Sequence, residues 1–176
     1  QTLADRTGVQ LRIEDDGAPR AEPGLRARLM AANEAAAEFF ARQLLSPDAL
    51  AARQMLDSRG FDRAVSEKFS VGYAPRGGRE LANQLRRQGF KDSELVAAGL
   101  IRQGGYDFFQ GRLLWPIKDS AKSVLGFGAR RLHDDDRMPA KYINTPESPI
   151  YKKSSVLYGL DLSRQAIGKK SQAVVM

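Results

Sequence analysis

The sequence predicts an α+β fold, in which a helical lead-in is followed by a small mixed or antiparallel β-sheet. Two observations support this prediction. Between residues 25 and 104, apolar side chains recur at helical spacing and glycines end successive segments. Between residues 105 and 132, two apolar and aromatic segments alternate in polarity on either side of a polar turn at 119–121. That pattern is typical of an antiparallel hairpin.

The helical lead-in begins after residues 1–24, which are rich in glycine, proline and acidic side chains and predict a linker. The first helix should present one apolar stripe to a core, because its apolar residues are spaced three or four apart. That stripe consists of Leu25, Leu29, Ala32, Ala36, Phe40 and Leu44.

The following helices are bounded by capping residues. Ser46, followed by proline, is a candidate N-cap, and Asp62 is a candidate N-cap for a later helix. Gly60, Gly89 and Gly99 each follow a helical segment and are candidate C-caps. An extended segment at 69–75 interrupts the helices and predicts a short strand.

The predicted hairpin has two distinct faces, since alternate strand residues point to opposite sides. On the second strand Leu125, Phe127 and Ala129 should meet the core, while Gly126, Gly128 and Arg130 share the opposite face. Two glycines weaken a strand unless something approaches its backbone closely. A phosphate backbone or a base could be that partner, or a β-bulge or tight packing could explain the glycines, and the residues alone favour packing.

The segment 141–160, KYINTPESPIYKKSSVLYGL, combines lysines with tyrosines around a proline-rich turn. Lys141, Lys152 and Lys153 can neutralise phosphates, and Tyr142 can stack on an unpaired base. Asn144 can hold the turn through side-chain to backbone hydrogen bonds. The alternative is an ordinary solvated loop.

Composition restricts the possible functions. The chain of 176 residues is 42% hydrophobic, which allows a folded core. Its net charge of +7 favours a polyanionic partner, nucleic acid first, although solubility explains such an excess equally well. The sequence has no cysteine and only one histidine, His133, so carboxylates would have to supply any metal site. We expect a cytoplasmic protein, because no membrane span or secretory signal is evident.

Two further motifs are expected to carry no chemistry. The adjacent acids Asp134, Asp135 and Asp136 predict an exposed loop rather than a metal site, because neighbouring side chains rarely converge on one ion. The segment at 76–79, RGGR, lacks the lysine and hydroxyl residue that end a phosphate-binding loop.

The hairpin and the segment after it resemble a known family. GRLLWPIKD, VLGFGARRL and KYINTPESPIYKKSSVLYGL resemble, in order and spacing, the central block of bacterial DnaG-type DNA primases. NEAAAEFF, FSVGYAP and VAAGLI resemble the family's helical lead-in, so the resemblance covers about residues 25–176. It implies a nucleotidyltransferase, a DNA-directed RNA polymerase that synthesises short RNA primers on single-stranded DNA.

The resemblance also implies a domain organisation. Residues 25–170 would form the basic N-terminal subdomain of the polymerase core, and 171–176 the first strand of a truncated Toprim domain. Mg or Mn would be held by Toprim acids beyond residue 176, and Zn by an upstream domain, so this fragment is expected to bind no cofactor. The expected partners are template DNA, RNA primer and NTPs. A replicative helicase and a single-strand-binding protein would contact other parts of a monomeric protein at the replication fork.

By similarity, Arg130, Lys141 and Lys153 match the family's basic positions that touch template or nucleotide, and Arg112 and Arg59 are further candidates. Tyr142, Lys152 and Asn144 complete the predicted binding residues, and no catalytic residue is assigned to the fragment. Ala129 and Ser148 stand where the family more often has glycine and threonine. The alternative function is a stand-alone module that binds single-stranded DNA without catalysis.

Overall fold

The computed structural model of the chain describes residues 23–170. The helices and strands follow one another as α1 (Pro23–Leu44), α2 (Leu50–Asp57), α3 (Arg63–Lys68), β1 (Gly72–Ala74), α4 (Glu80–Arg87), α5 (Asp92–Ala97), β2 (Arg112–Lys118), β3 (Val124–Arg131), β4 (Tyr142–Asn144) and α6 (Leu160–Lys170). Short 3₁₀ turns cover Pro47–Ala49 and Lys153–Ser155. The predicted strand at 171–176 and nearly all of the predicted linker lie outside the described residues.

The α+β prediction is confirmed. The four strands form one antiparallel sheet in the order β1-β2-β3-β4, rather than a mixed sheet. None of the helices between residues 23 and 170 is long and apolar enough to cross a membrane.

Helix α1 packs along one face of the sheet through its apolar stripe. Leu29, Ala32 and Ala36 are completely buried, whereas Leu25 at the start of the helix is 40% exposed and lies outside the core. The rings of Phe40 and Phe127 meet edge to face at 5.3 Å between centroids. Strand β1 comes very close to α1, because a Cβ at Gly72 would lie 2.5 Å from Cβ of Phe40. This contact requires glycine.

The sheet has a hydrophobic cluster on each side. On the α1 side, Leu114, Phe127 and Ala129 pack with apolar residues of α1, α4 and α5. On the other side, Tyr73 and Leu113 pack with residues of α2 and its flanking segments, such as Ala52 and Leu56. Leu125 departs from its predicted place in the main core and packs with Ile117 and Tyr151, next to a register shift between Ile117 and Lys118.

The helix ends confirm most of the predicted caps. Asp62 accepts a hydrogen bond from Val65 N at 2.8 Å, and Gly60, Gly89 and Gly99 adopt φ values of +74°, +82° and +71°. Ser46 occupies the N-cap position of the 3₁₀ turn Pro47–Ala49, with proline at its start as predicted, but its hydroxyl donates to the carbonyl of Gln43 at 2.7 Å and makes no capping hydrogen bond. The 3₁₀ turn between α1 and α2 separates this serine from the start of α2.

The N-terminus of α4 is capped from a distance by Asp107. Its carboxylate accepts hydrogen bonds from Leu81 N at 3.0 Å and Ala82 N at 2.9 Å, and the residue is only 2% exposed. Burial raises the pKa of the Asp107 carboxyl, and the two backbone donors oppose that rise. The sequence pattern gave no sign of this contact, since the residues are more than twenty positions apart.

Thr145 fixes the end of strand β4 against β3. Its N–H donates to the carbonyl of Phe127 at 2.8 Å, and its hydroxyl accepts from Phe127 N at 2.8 Å. Thr145 is completely buried, so both bonds are shielded from water.

Candidate nucleic-acid interface

The register of the sheet brings three of the eight predicted binding residues, Arg130, Tyr142 and Asn144, to one face. Leu113, Arg130 and Tyr142 lie side by side across β2, β3 and β4, and Trp115, Gly128 and Asn144 form the next row. We call the side of the sheet formed by these six residues, of which Leu113 is buried against α2, the open face. It borders a cavity of about 420 Å³ whose other walls are Met55, Leu56, Arg59, Phe61, Ala129 and Tyr158.

Arg130 stands in the middle of the open face. Its side chain is half-buried, its guanidinium contacts the sulfur of Met55, and Nη1 donates to the carbonyl of Arg131 at 3.3 Å. The Nε–H group is buried without a protein partner. An unsatisfied charged donor beside a cavity is costly unless a ligand uses it.

Tyr142 is the exposed aromatic residue beside Arg130, with 60% of its surface accessible. A hydrogen bond from Arg130 lowers the pKa of the Tyr142 phenol, and the positive charges of Arg130, Lys141 and Arg59 lower it further. The ammonium of Lys141 lies 5.8 Å from the centroid of the Tyr142 ring. Three cationic side chains from separate parts of the sequence therefore act on one phenol.

Arg59 reaches this site from the end of α2. It is exposed and lines the same cavity as Arg130, Tyr142 and Asn144. The sequence could not place it there by spacing alone, since α2 and β3 are separated by three further helices and two strands.

Lys153 lies on the other side of Tyr142. A second depression, of about 450 Å³, is lined by Phe108, Met138, Tyr142, Ile143, Asn144, Pro146 and Lys153. The exposed Lys153 is anchored through its backbone N–H, which donates to Glu147 Oε1 at 2.9 Å, and the neighbouring Lys152 is half-buried. Tyr142 and Asn144 thus form a ridge between two depressions that each carry positive charge.

Arg112 does not join the other predicted residues. It is 1% exposed, and its guanidinium is engaged by the carboxylate of Asp136 and by the carbonyls of Met138 and Ala140. Burial leaves no part of this guanidinium free to reach a phosphate. We therefore leave Arg112 out of the proposed binding surface.

The two glycines of β3 have different explanations. A Cβ at Gly126 would lie 3.0 Å from both Cβ and Oγ1 of Thr145, so this glycine is explained by tight packing. A Cβ at Gly128 would meet only Oδ1 of Asn144, at 3.3 Å. Gly128 therefore keeps the centre of the open face flat. Tight packing explains Gly126, and the approach of nucleic acid at Gly128 stays a prediction.

A further cleft was not predicted from the sequence. It has a volume of about 590 Å³ and is lined by Arg76, Arg102, Tyr106, Phe108, Gln110, Gly111, Arg112, His133, Asp135, Asp136, Arg137 and Met138. We call it the rim cleft. The guanidinium of Arg79 lies 4.1 Å from the Tyr106 ring centroid, and that of Arg102 lies 5.1 Å from Phe108. The only signal for the rim cleft in the sequence was the occurrence of arginines near aromatic residues in loops.

The acidic loop is engaged in ion pairs. Asp135 pairs with Arg76, Asp136 pairs with Arg112, and Asp134 lies 3.8 Å from Arg131. Within residues 23–170, no group of three or more histidine and acidic side chains is arranged to hold a metal ion.

The chain is similar in sequence to known primases over its whole length. The family described as the DNA primase catalytic core, N-terminal domain, matches residues 39–164. The DNA primase of Mycobacterium tuberculosis is 52% identical over 182 residues, and that of Streptomyces coelicolor is 48% identical over 181. These alignments cover 100% of the chain and 28% of each relative, so the chain spans little more than a quarter of their length.

Solved structures of primase domains share the fold. The RNA polymerase domain of Mycobacterium tuberculosis primase DnaG superposes with a TM-score of 0.82 at 55% identity, covering 84% of this chain and 49% of that one. A DnaG primase catalytic domain bound to single-stranded DNA gives a TM-score of 0.73 at 33% identity, covering 84% and 46%. An Aquifex aeolicus primase with zinc-binding and RNA polymerase domains gives 0.74 at 32% identity, covering 96% and 40%.

Proposed function

Because the chain belongs to the family of the DNA primase catalytic core, N-terminal domain, we propose that it supplies the template- and nucleotide-binding surface of a DNA primase. The complete protein would synthesise short RNA primers on single-stranded DNA during replication. Similar primase domains have been solved with DNA bound, which supports a DNA template as the partner.

One observation carries this proposal: Arg59, Arg130 and Lys141 converge on Tyr142 at the edge of a cavity. Phosphoryl transfer depends mainly on positioning and on positive charge around the phosphates. Arg59 and Arg130 line the cavity of about 420 Å³, and the ammonium of Lys141 lies 5.8 Å from the ring centroid of Tyr142 in its wall. Together they would provide that charge for a nucleotide or a template phosphate.

The aromatic side chains suit single-stranded nucleic acid. An exposed tyrosine flanked by cations can stack on an unpaired base while the cations neutralise its phosphates. Tyr142 has that environment, and the flat backbone at Gly128 leaves room for a base beside it. Lys153, Asn144 and the half-buried Lys152 extend the surface on the far side of the Tyr142 ridge. The rim cleft, with its arginines and aromatic residues, would contact a further part of the strand.

The residues between 23 and 170 do not fit a divalent-metal site, since their acids are engaged in separate ion pairs or lie apart. We assign them no metal-dependent step. In the proposed enzyme a Toprim domain beyond this chain would hold Mg or Mn, and an upstream domain would hold Zn. The helicase and the single-strand-binding protein would contact other regions. Purely non-catalytic binding is not favoured, because the matching family is a catalytic core.

The experiment that tests this proposal is a primer-synthesis assay with the full-length protein. Arg59, Arg130 and Lys141 are replaced together by glutamine, and thermal unfolding is measured in parallel. We expect synthesis to be lost while the unfolding temperature changes little, because Arg59 and Lys141 are exposed and Arg130 is only half-buried. Normal synthesis by the triple variant would refute the proposed role of this surface.

A further inference from the structure

Arg112 is a fully buried cation, whereas the other predicted basic site residues are exposed or half-buried. Its side chain is 1% exposed, and that of Asp136 is 10% exposed, with Nε of the arginine 2.7 Å from Oδ2 of the aspartate. Burying such a pair costs desolvation, and apolar residues of the same size would give comparable stability. The pair is therefore better explained by what it holds in place than by stability alone.

The remaining donors of Arg112 hold the backbone that leads into β4. Nη2 donates to the carbonyl of Met138 at 2.7 Å, and Nη1 donates to the carbonyl of Ala140 at 3.1 Å. Asp136 contributes a second restraint, because its Oδ1 accepts from Met138 N at 2.8 Å. Only a planar guanidinium has several donors in a fixed arrangement, so lysine cannot replace this set of contacts.

Arg131 completes the set from the neighbouring strand. Its Nη1 donates to the carbonyl of Pro139 at 3.1 Å, and its backbone N–H donates to the carbonyl of Lys141 at 2.9 Å. The carbonyls of residues 138 to 141 are therefore each bound by one of two arginines. The next side chain along the chain is Tyr142.

We propose that Arg112 is a positioning residue, which holds the segment 136–140 through Asp136 and two backbone carbonyls and thereby places Lys141 and Tyr142 at the binding surface. This inference rests on the proposed function of that surface. Arg112 itself is not expected to touch DNA or nucleotide. The sequence suggested that Arg112 contacts nucleic acid directly, whereas the proposal assigns it to the support of the binding surface.

The first test is a double-mutant cycle on primer synthesis by the full-length protein, with Arg112→Gln, Lys141→Ala and the combination. If Arg112 acts through Lys141, Arg112→Gln should lower kcat/KM by up to about a hundredfold alone, since a small misplacement of a positioned group can cost that much. It should cause much less additional loss in the Lys141→Ala background. An equal loss of kcat/KM from Arg112→Gln in the wild type and in Lys141→Ala, or no loss in either, would overturn the proposal.

The second test does not depend on catalysis. The ring carbon bonded to the Tyr142 hydroxyl is labelled with ¹³C, identified by its absence in Tyr142→Phe, and titrated by NMR. Displacement of Lys141 should raise the pKa of Tyr142 in Arg112→Gln, because a nearby positive charge is removed. An unchanged titration would refute the positioning of Lys141. Normal activity of the Lys141→Ala variant would count against the proposed function of the surface. An unchanged Tyr142 titration in Arg112→Gln would count against the positioning role of Arg112, so the two failures are distinguishable.

Matched variants separate positioning from general destabilisation. Asp136→Asn keeps the size of the side chain but removes the charge that holds Arg112, and it should reproduce both effects if Arg112→Gln does not fold. Glu38→Gln removes one carboxylate charge from an exposed ion pair with Arg42 on α1, and it should leave activity and the Tyr142 titration unchanged. Wild-type behaviour of a folded Asp136→Asn variant, or equal defects in Glu38→Gln, would overturn the proposal.

Discussion

Tyr142 lies directly opposite Arg130 in the antiparallel register of β4 and β3, and the guanidinium of Arg130 is the main reason that the pKa of the Tyr142 phenol is lowered. The two residues are twelve positions apart in the sequence but adjacent on the open face. Their pairing joins a cation and a stackable ring, the two chemical properties that binding to single-stranded nucleic acid requires.

The Tyr142 phenol should titrate below the ordinary value of a tyrosine. Arg130→Gln should raise its pKa, because the variant removes both the hydrogen bond and the charge that stabilise the phenolate. The ¹³C titration described above measures this pKa. Arg87→Gln, on the exposed surface of α4, is the matched control and should leave the pKa unchanged. An equal shift in both variants would show that Arg130 has no special role.

Single replacement of Arg130 or Lys141 by alanine should reduce primer synthesis by the full-length protein. Loss of one charged contact to a developing phosphate charge costs about 3 kcal/mol, or roughly a hundredfold in rate. The unfolding temperature should change little for Lys141→Ala, since that side chain is exposed. Initial rates of primer synthesis measure the effect, again with Arg87→Gln as control. Normal rates in both alanine variants would exclude these two residues from the site.

Binding of single-stranded DNA should weaken steeply with salt. If about four phosphates are neutralised by Arg59, Arg130, Lys141 and Lys153, the logarithm of the binding constant should fall with a slope of about −3 against the logarithm of salt concentration. Fluorescence anisotropy with a labelled oligonucleotide measures this slope. Lys153→Gln should reduce the slope by about one contact. Binding that is independent of salt would contradict an electrostatic interface.

Acid should destabilise the fold in part through Glu94. A hydrogen bond from Arg28, followed by one from the backbone of Lys91, lowers the pKa of Glu94 to about 2 from 4.5. Its contribution to stability should therefore be fully present above about pH 4.5 and should be lost as the pH falls toward 2. Because Arg28 is 44% exposed, the effect should not exceed about 1 kcal/mol.

Glu94→Gln provides the comparison for that prediction. Glutamine can still accept the hydrogen bond from Lys91 N but has no charge to lose. Thermal unfolding at about pH 6 and about pH 2.5 should show a larger loss of stability in the wild type than in the variant. Identical losses in the two proteins would mean that the Arg28–Glu94 pair does not stabilise the fold.

Alanine at the two glycines of β3 should have different effects. Gly126→Ala should destabilise the fold by about 1–3 kcal/mol, because the new methyl group presses on buried Thr145. Gly128→Ala should change stability by no more than about 0.5 kcal/mol but should weaken DNA or nucleotide binding, since it fills the open face. Denaturant unfolding and anisotropy measure the two quantities. A binding defect in neither variant would leave packing as the reason for both glycines.

The sequence predicted those elements whose signals are local. The hairpin, the Asp62 cap and the glycine C-caps follow from residue alternation and from conformations that only certain residues favour. The grouping of Arg130 with Tyr142 was predictable only through the family resemblance, because the loop of ten residues between their strands has no periodicity that fixes the register.

Long-range partners were not predictable. A sequence does not reveal which of several basic residues will be buried, and Arg112 is buried because Asp136 and two carbonyls lie beside it. The capping of α4 by Asp107 was not predictable either, because Asp107 lies in a loop more than twenty residues along the chain. The rim cleft is formed by loops that meet only in the folded protein.

The two bonds between Thr145 and Phe127 have a consequence for β4, which is only three residues long. A slip of one residue would turn Tyr142 and Asn144 toward the cluster on the α1 side of the sheet and place Ile143 on the open face. So short a strand has little sequence pattern with which to resist that error. The two bonds of Thr145 fix this alignment, so the side chains displayed on the open face depend on a buried residue that is not part of it.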